Sequence, residues 1–219
     1  MAIIHDTTMS PGKLELLTAW LPAQSWYLAG GHRPALAKAG GFRLDDPDGE
    51  VGIEFMVVTD QSGDQVTAYQ VPMTYRAKAL AGADGALIGT SKHGVLGHRW
   101  IYDGAHDPVL ITALVGLLQG DAQAQAQSES NTPDLTVTSQ PITSGHLAVL
   151  ASAVAATGPD STDVRVTTAA DGGRRTDLIV RVHRVLQPGD RAAAGRPHVV
   201  ATWRRRDGAD VRGIVASVP

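Results

Sequence analysis

The densest run of groups able to do chemistry is HRWIYDGAHD, residues 98–107, which sets His98, Asp103, His106 and Asp107 close together. Two imidazoles and two carboxylates could ligate a divalent cation, yet their spacing is neither that of an HExxH helix nor that of a facial triad. Asp107 precedes Pro108 as a helix cap would, and His98 falls in a strand-like stretch whose side chains alternate between faces. A surface turn is therefore the expectation, and no metal site is assigned. Glycine-rich loops are the next place to look for chemistry. In GADGALIGTSKHG, residues 82–94, Gly89 is followed by Thr90 and not by lysine, and the chain contains neither GxxxxGK[ST] nor GxGxxG. It also lacks a GxSxG nucleophile elbow, so no catalytic residue is assigned. In WRRRDG, residues 203–208, a strand would put Arg204 and Arg206 on one face and Arg205 on the other, which divides the charge and suits solvated positions beside a turn. Trp20, Trp26 and Tyr27 remain. They could form an aromatic platform for a sugar ring or a partner, or an apolar plug seating a helix on a sheet.

Composition bounds the possibilities further. The chain has 219 residues, a net charge of −3 and no cysteine, so disulfides, thiolate metal sites and thiol nucleophiles are excluded. An apolar fraction of 43% with 19% charged residues is that of a globular chain able to bury a core. The slightly acidic balance argues against nucleic acid as a general partner, because such binding rests on a basic surface that releases counterions. The first residues lack a signal-peptide pattern, and the apolar stretches 109–118 and 147–156 are shorter than the roughly 20 residues a membrane helix needs. A cytoplasmic protein with no membrane association is expected.

The elements that must position these groups are read from periodicity. Ser10 and Pro11 open a helix carrying Leu14, Leu16, Leu17 and Trp20, which stops at Leu21-Pro22. Residues 28–41, with two glycine pairs, read as an irregular connection. Apolar and β-branched runs at 52–58 and 65–73, then at 86–90 and 95–102, predict two hairpins in one antiparallel sheet. Asp107 and Pro108 start a second helix whose leucines fall on one face, followed by the polar segment 121–134. Beyond it a strand at 135–139, a helix from about 144 to 156, and strands near 163–169, 176–186, 197–205 and 210–218 are expected. The whole reads as an α+β fold of antiparallel sheets with packed helices in two small subdomains, 1–130 and 131–219.

The segment LTAWLPAQSWYLAGGHR, residues 17–33, resembles the N-terminal cap of the maltokinase family, where a helix ends in a Leu-Pro-x-Gln-x-Trp-aromatic stretch. Leu21, Pro22, Gln24, Trp26 and Tyr27 occupy it here. YQVPMTYR at 69–76, ALIGT at 86–90 and YDGAHDP at 102–108 extend the resemblance in order. Members of that family are bacterial enzymes that phosphorylate maltose or a related sugar from ATP, in trehalose and α-glucan metabolism, and their cap precedes a protein-kinase-like body. LIVRVHRVLQPG, residues 178–189, is similar to the start of that body, where a Leu-Ile-x-Lys strand carries the lysine that contacts ATP. Arg181 stands at the lysine position and His183 at that of a phenylalanine.

A guanidinium does not substitute for that ammonium. No HxD or DxD-type catalytic segment follows Arg181 before Pro219, so residues 131–219 are expected to be a small domain, a degenerate start of a kinase N-lobe at most. The resemblance thus implies a non-catalytic, stand-alone cap-like protein without a cofactor, binding or regulating an enzyme of maltose, trehalose or α-glucan metabolism. The alternatives are one part of a sugar kinase completed by another chain, with Mg-ATP as cofactor, and a simple carbohydrate-binding module using Trp20, Trp26 and Tyr27.

Overall fold

The structure is a computed structural model that describes residues 8–28, 31–63, 65–129, 131–143, 145–170, 173–189 and 195–219. Residues 29–30 of the connection expected at 28–41, residue 64 between the runs 52–58 and 65–73, residues 171–172 between the strands expected near 163–169 and 176–186, and Ser144 at the expected helix start lie outside the described residues.

The elements in chain order are β1 (Met9–Ser10), α1 (Lys13–Trp20), β2 (Leu36–Leu44), β3 (Gly52–Asp60), β4 (Thr67–Arg76), β5 (Leu87–His93), β6 (Gly97–Asp103) and α2 (Pro108–Gln119), then β7 (Thr138–Gln140), β8 (Leu147–Thr157), β9 (Ser161–Ala170), β10 (Arg175–His183), β11 (Val185–Leu186), β12 (His198–Arg204) and β13 (Asp210–Ser217). They form one hydrogen-bonded sheet in the order β1-β5-β6-β4-β3-β2-β12-β13-β10-β9-β8, with β11 on β4 and β7 on β12. Strands from both sides of residue 130 therefore share the sheet, meeting where Gly40 of β2 faces Trp203 of β12. A Cβ there would stand 3.0 Å from the Thr202 carbonyl oxygen, so any larger residue would have to push β12 back by a few tenths of an ångström.

This corrects the expected α+β class. With 48% strand, 14% helix and two short helices, the fold is β-rich and antiparallel. The largest departure is at 144–156, where a helix was expected and β8 is found. Its register on β9 slips between Val149 and Ala151 and again between Val154 and Ala156, so Leu150 and Ala155 are extra residues. Two bulges within eleven residues destroy the period of two, and the alanines left behind suit a helix. The irregular connection expected at 28–41 likewise runs into β2, whose pairing with β3 is broken at Ala39.

The two helices cover opposite faces of β3. Ile53, Phe55 and Val57 join Leu110, Leu114 and Leu118 of α2, together with Val164, Val180 and Val199, in the larger core. Met56 and Val58 face the other way, against Leu17, Leu21 and Trp26. Burial on both faces is why this strand reads as a nearly continuous apolar run. Asp107 caps α2 by accepting from the Val109 N–H at 3.0 Å, and two Arg76 nitrogens reach its carboxylate at 2.6 Å. No helix among the described residues is long and apolar enough to cross a membrane.

Candidate functional site

On the α1 side of the sheet a cavity of about 790 Å³ opens between the N-terminus of α1, the β2–β3 loop and the β5–β6 hairpin. That volume lies within the roughly 300–1,000 Å³ usual for small-molecule sites. Glu54 of β3, only 3% exposed, lies at its floor. It is the one acid in GIEFMVV, and the strand period directs it to the face opposite Ile53 and Phe55. Three donors converge on its carboxylate: Lys13 Nζ at 2.7 Å, the Tyr75 phenol at 2.5 Å and Gln127 Nε2 at 3.0 Å. The Lys13 ammonium also lies 5.5 Å from the centre of the Tyr75 ring. Burial raises the Tyr75 pKa well above the ordinary phenol value, and the adjacent Glu54 charge and hydrogen bond raise it further. The phenol therefore stays protonated and donates to Glu54.

Arginines flank this floor. Arg43 of β2 is in register with Glu54. Arg99 lies on β6, two residues before Ile101, which is in register with Tyr75. Both line the cavity. Arg43 Nε and Nη2 and Arg99 Nε are buried with no acceptor among the described residues. The acids nearby are already engaged: Asp46 accepts from the N–H groups of Asp48, Glu50 and Val51, and Glu15 from that of Gly12.

The residues singled out from sequence lie elsewhere. Trp26 is 1% exposed, packed against Trp20 and Tyr69, with the Arg184 guanidinium 5.2 Å from its ring. Tyr27 packs on Tyr69 and donates to Asp60 at 2.5 Å. Burial, the hydrogen bond and the charge of Asp60 all push the Tyr27 phenol up. Burial alone would raise Asp60, but hydrogen bonds from Tyr27, Ala35 and Ser62 outweigh it and hold the carboxyl below its usual range. The three aromatics thus seat α1 on the sheet, with no ring face of Trp26 open to a ligand.

Arg181 is held in a fork by Asp163, its cross-strand neighbour, at 2.7 and 2.8 Å. Of the HRWIYDGAHD groups, Asp103 caps a 3₁₀ turn and pairs with Arg184, Asp107 caps α2, and His98 sits edge-on to Trp100. No set of three or more metal-ligating side chains comes together among the described residues. Sequence reading missed Glu54, Lys13, Gln127, Arg43 and Arg99, although one glutamate inside an apolar strand is a signal of a buried polar site. Tyr75 lies within YQVPMTYR, and the resemblance carried by that stretch implies no role for it.

Residues 20–107 match the family model of the maltokinase N-terminal cap domain. No curated protein is similar enough to the chain to count as a match.

Proposed function

We infer, from a chain whose residues 20–107 match the family model of the maltokinase N-terminal cap domain, a non-catalytic binding or regulatory protein of cytoplasmic maltose, trehalose or α-glucan metabolism. Its cavity over Glu54 is the place where a sugar-sized ligand is sensed. The observation that carries this reading is the cavity itself. Its volume suits a mono- or disaccharide derivative, its floor is a hydrogen-bonded polar cluster, and most of its charged lining falls within the matched residues. Lys13 of α1 closes one side, so a ligand reaching Glu54 shifts the helix that Trp20 and Trp26 anchor. The non-catalytic part rests on Arg181: its guanidinium is occupied by Asp163, and a fork bonded to a carboxylate is not free to pair with phosphate as the family's lysine does.

Two titrations test the reading. Tryptophan fluorescence is followed with maltose, trehalose, a maltodextrin and phosphorylated glucose, and melting is followed with Mg-ATP. A saturable fluorescence change with at least one sugar is expected, and a flat response to all of them overturns the sugar-sensing role. Mg-ATP is expected to leave the melting unchanged. Stabilisation approaching about 2.7 kcal/mol at one hundred times the dissociation constant would instead favour a part of a sugar kinase completed by another chain.

A further inference from the structure

The unmet hydrogen-bonding capacity of the Glu54 cavity is all of one kind. Arg43 Nε, Arg43 Nη2 and Arg99 Nε are donors on cations, each buried without an acceptor among the described residues. Glu54 does not serve them: its carboxylate accepts from Lys13, Tyr75 and Gln127, and neither arginine donates to it. Asp46 accepts from three backbone N–H groups, Glu15 is turned to the backbone of Gly12, and Glu50 is exposed to solvent at the rim. Lys38, also exposed, adds a cation to the same rim. A buried donor without an acceptor is costly. A ligand that brings an oxyanion offsets that cost, because the guanidinium fork matches the oxygens of a phosphate or carboxylate.

We propose that this cavity binds a small hydroxyl-bearing molecule through an oxyanion, phosphate or carboxylate, held by Arg43 and Arg99. The hydroxyl groups of the ligand meet the Glu54, Lys13 and Gln127 side of the floor. This deepens the sugar-sensing reading and rests on it for the hydroxyl-bearing part alone. The anion follows from the arginines.

The test is calorimetric titration of the full chain with glucose 1-phosphate, gluconate, inorganic phosphate and neutral maltose at one ionic strength. It is repeated on Arg43→Met and Arg99→Gln, with Arg99→Lys as the conservative variant and far-UV circular dichroism as the control for folding. Saturable binding of at least one organic anion, tighter than that of maltose, is expected. Loss of either arginine should weaken it by about tenfold or more, and Arg99→Lys by less. Glucose 1-phosphate against gluconate separates a phosphate from a carboxylate ligand. Binding of maltose as tight as that of the anions overturns the proposal and leaves the sugar-sensing reading standing. Anion binding that survives in folded arginine variants overturns the assigned site. No saturable binding of any anion up to about 10 mM overturns the proposal as well.

Discussion

Replacing Asp103 by asparagine should cost this protein more than any exposed ion pair could. Asp103 is 4% exposed and Arg184 0%. Arg184 Nη2 reaches both carboxylate oxygens, at 2.9 and 2.7 Å, while its Nε donates to Thr162 at 2.9 Å and its plane lies by Trp26. Asparagine keeps the shape but removes the counter-charge, leaving a guanidinium buried with Nη1 already unpartnered. Breaking a buried pair in this way costs about 3–5 kcal/mol. Against a total stability of about 5–15 kcal/mol that is a large share, and it corresponds to a melting drop on the order of 10 °C for a chain of this size. Arg184→Met should cost a similar amount by stranding the carboxylate. The double variant removes both charges and should lose less than the sum of the two single losses. Urea unfolding followed in parallel by tryptophan fluorescence and circular dichroism measures all three. Asp103 ends β6 and Arg184 follows β10, and the Gln70 side chain of β4 donates nearby to the His183 and Val215 carbonyls. The fluorescence and dichroism transitions should therefore coincide. A loss below about 1 kcal/mol for D103N, strict additivity in the double variant, or two separate transitions would refute the reasoning.

Three further outcomes are expected. Arg43→Met should raise the stability of the ligand-free chain by about 1–3 kcal/mol, because it deletes two buried donors that lack acceptors; a fall in the urea midpoint contradicts this. Gly41→Ala should cost about 3 kcal/mol or more, since Gly41 has φ +125° and its Cβ would run into the Phe55 carbonyl oxygen; a loss under about 1 kcal/mol counts against the β2 geometry. Burial, reinforced by Arg181 and opposed by Asp160 and Asp163, holds the His183 imidazole below its ordinary value near 6.5. The unfolded chain therefore takes up that proton first, so the contribution of His183 is full above about pH 6.5 and is lost as the pH falls through the depressed value. His183→Gln should flatten the melting curve against pH between about 7.5 and 5, and an unchanged slope excludes the histidine.

What could be read from the sequence was whatever local chemistry alone decides. The second helix announces itself through Asp107, Pro108 and a leucine face, and its end is marked by Gly120 at φ +82°. The hairpins β3–β4 and β5–β6 follow from β-branched runs around turns. β2 was hidden because Gly40 and Gly41 look like a turn, whereas each is there for a neighbour distant in sequence, the Thr202 carbonyl for Gly40 and the Phe55 carbonyl for Gly41. β8 was hidden because bulges are set by its partner and not by its own pattern. Both of these failures concern strands, whose identity depends on pairing; the first helix was found but its start was not, since Ser10 lies in β1 and Gly12 caps α1, which begins at Lys13.

The site was illegible for a related reason, and the particular way it is built bears on function. Lys13, Glu54, Tyr75 and Gln127 are far apart in the chain and meet only once the sheet has formed and α1 and the segment after α2 have closed on it. Arg43 faces Glu54 across β2 and β3, where opposite charges usually attract. Here the carboxylate accepts from three other donors, and Arg43 Nε and Nη2 are left without an acceptor among the described residues. Stability alone disfavours that arrangement, since an apolar side chain of similar length would avoid the cost. A second arginine, Arg99, carries the same defect on the same cavity. Three buried guanidinium nitrogens, on two arginines lining one concave surface, are most simply explained by an acceptor that is not part of the chain, because binding it supplies the hydrogen bonds that folding leaves unmade.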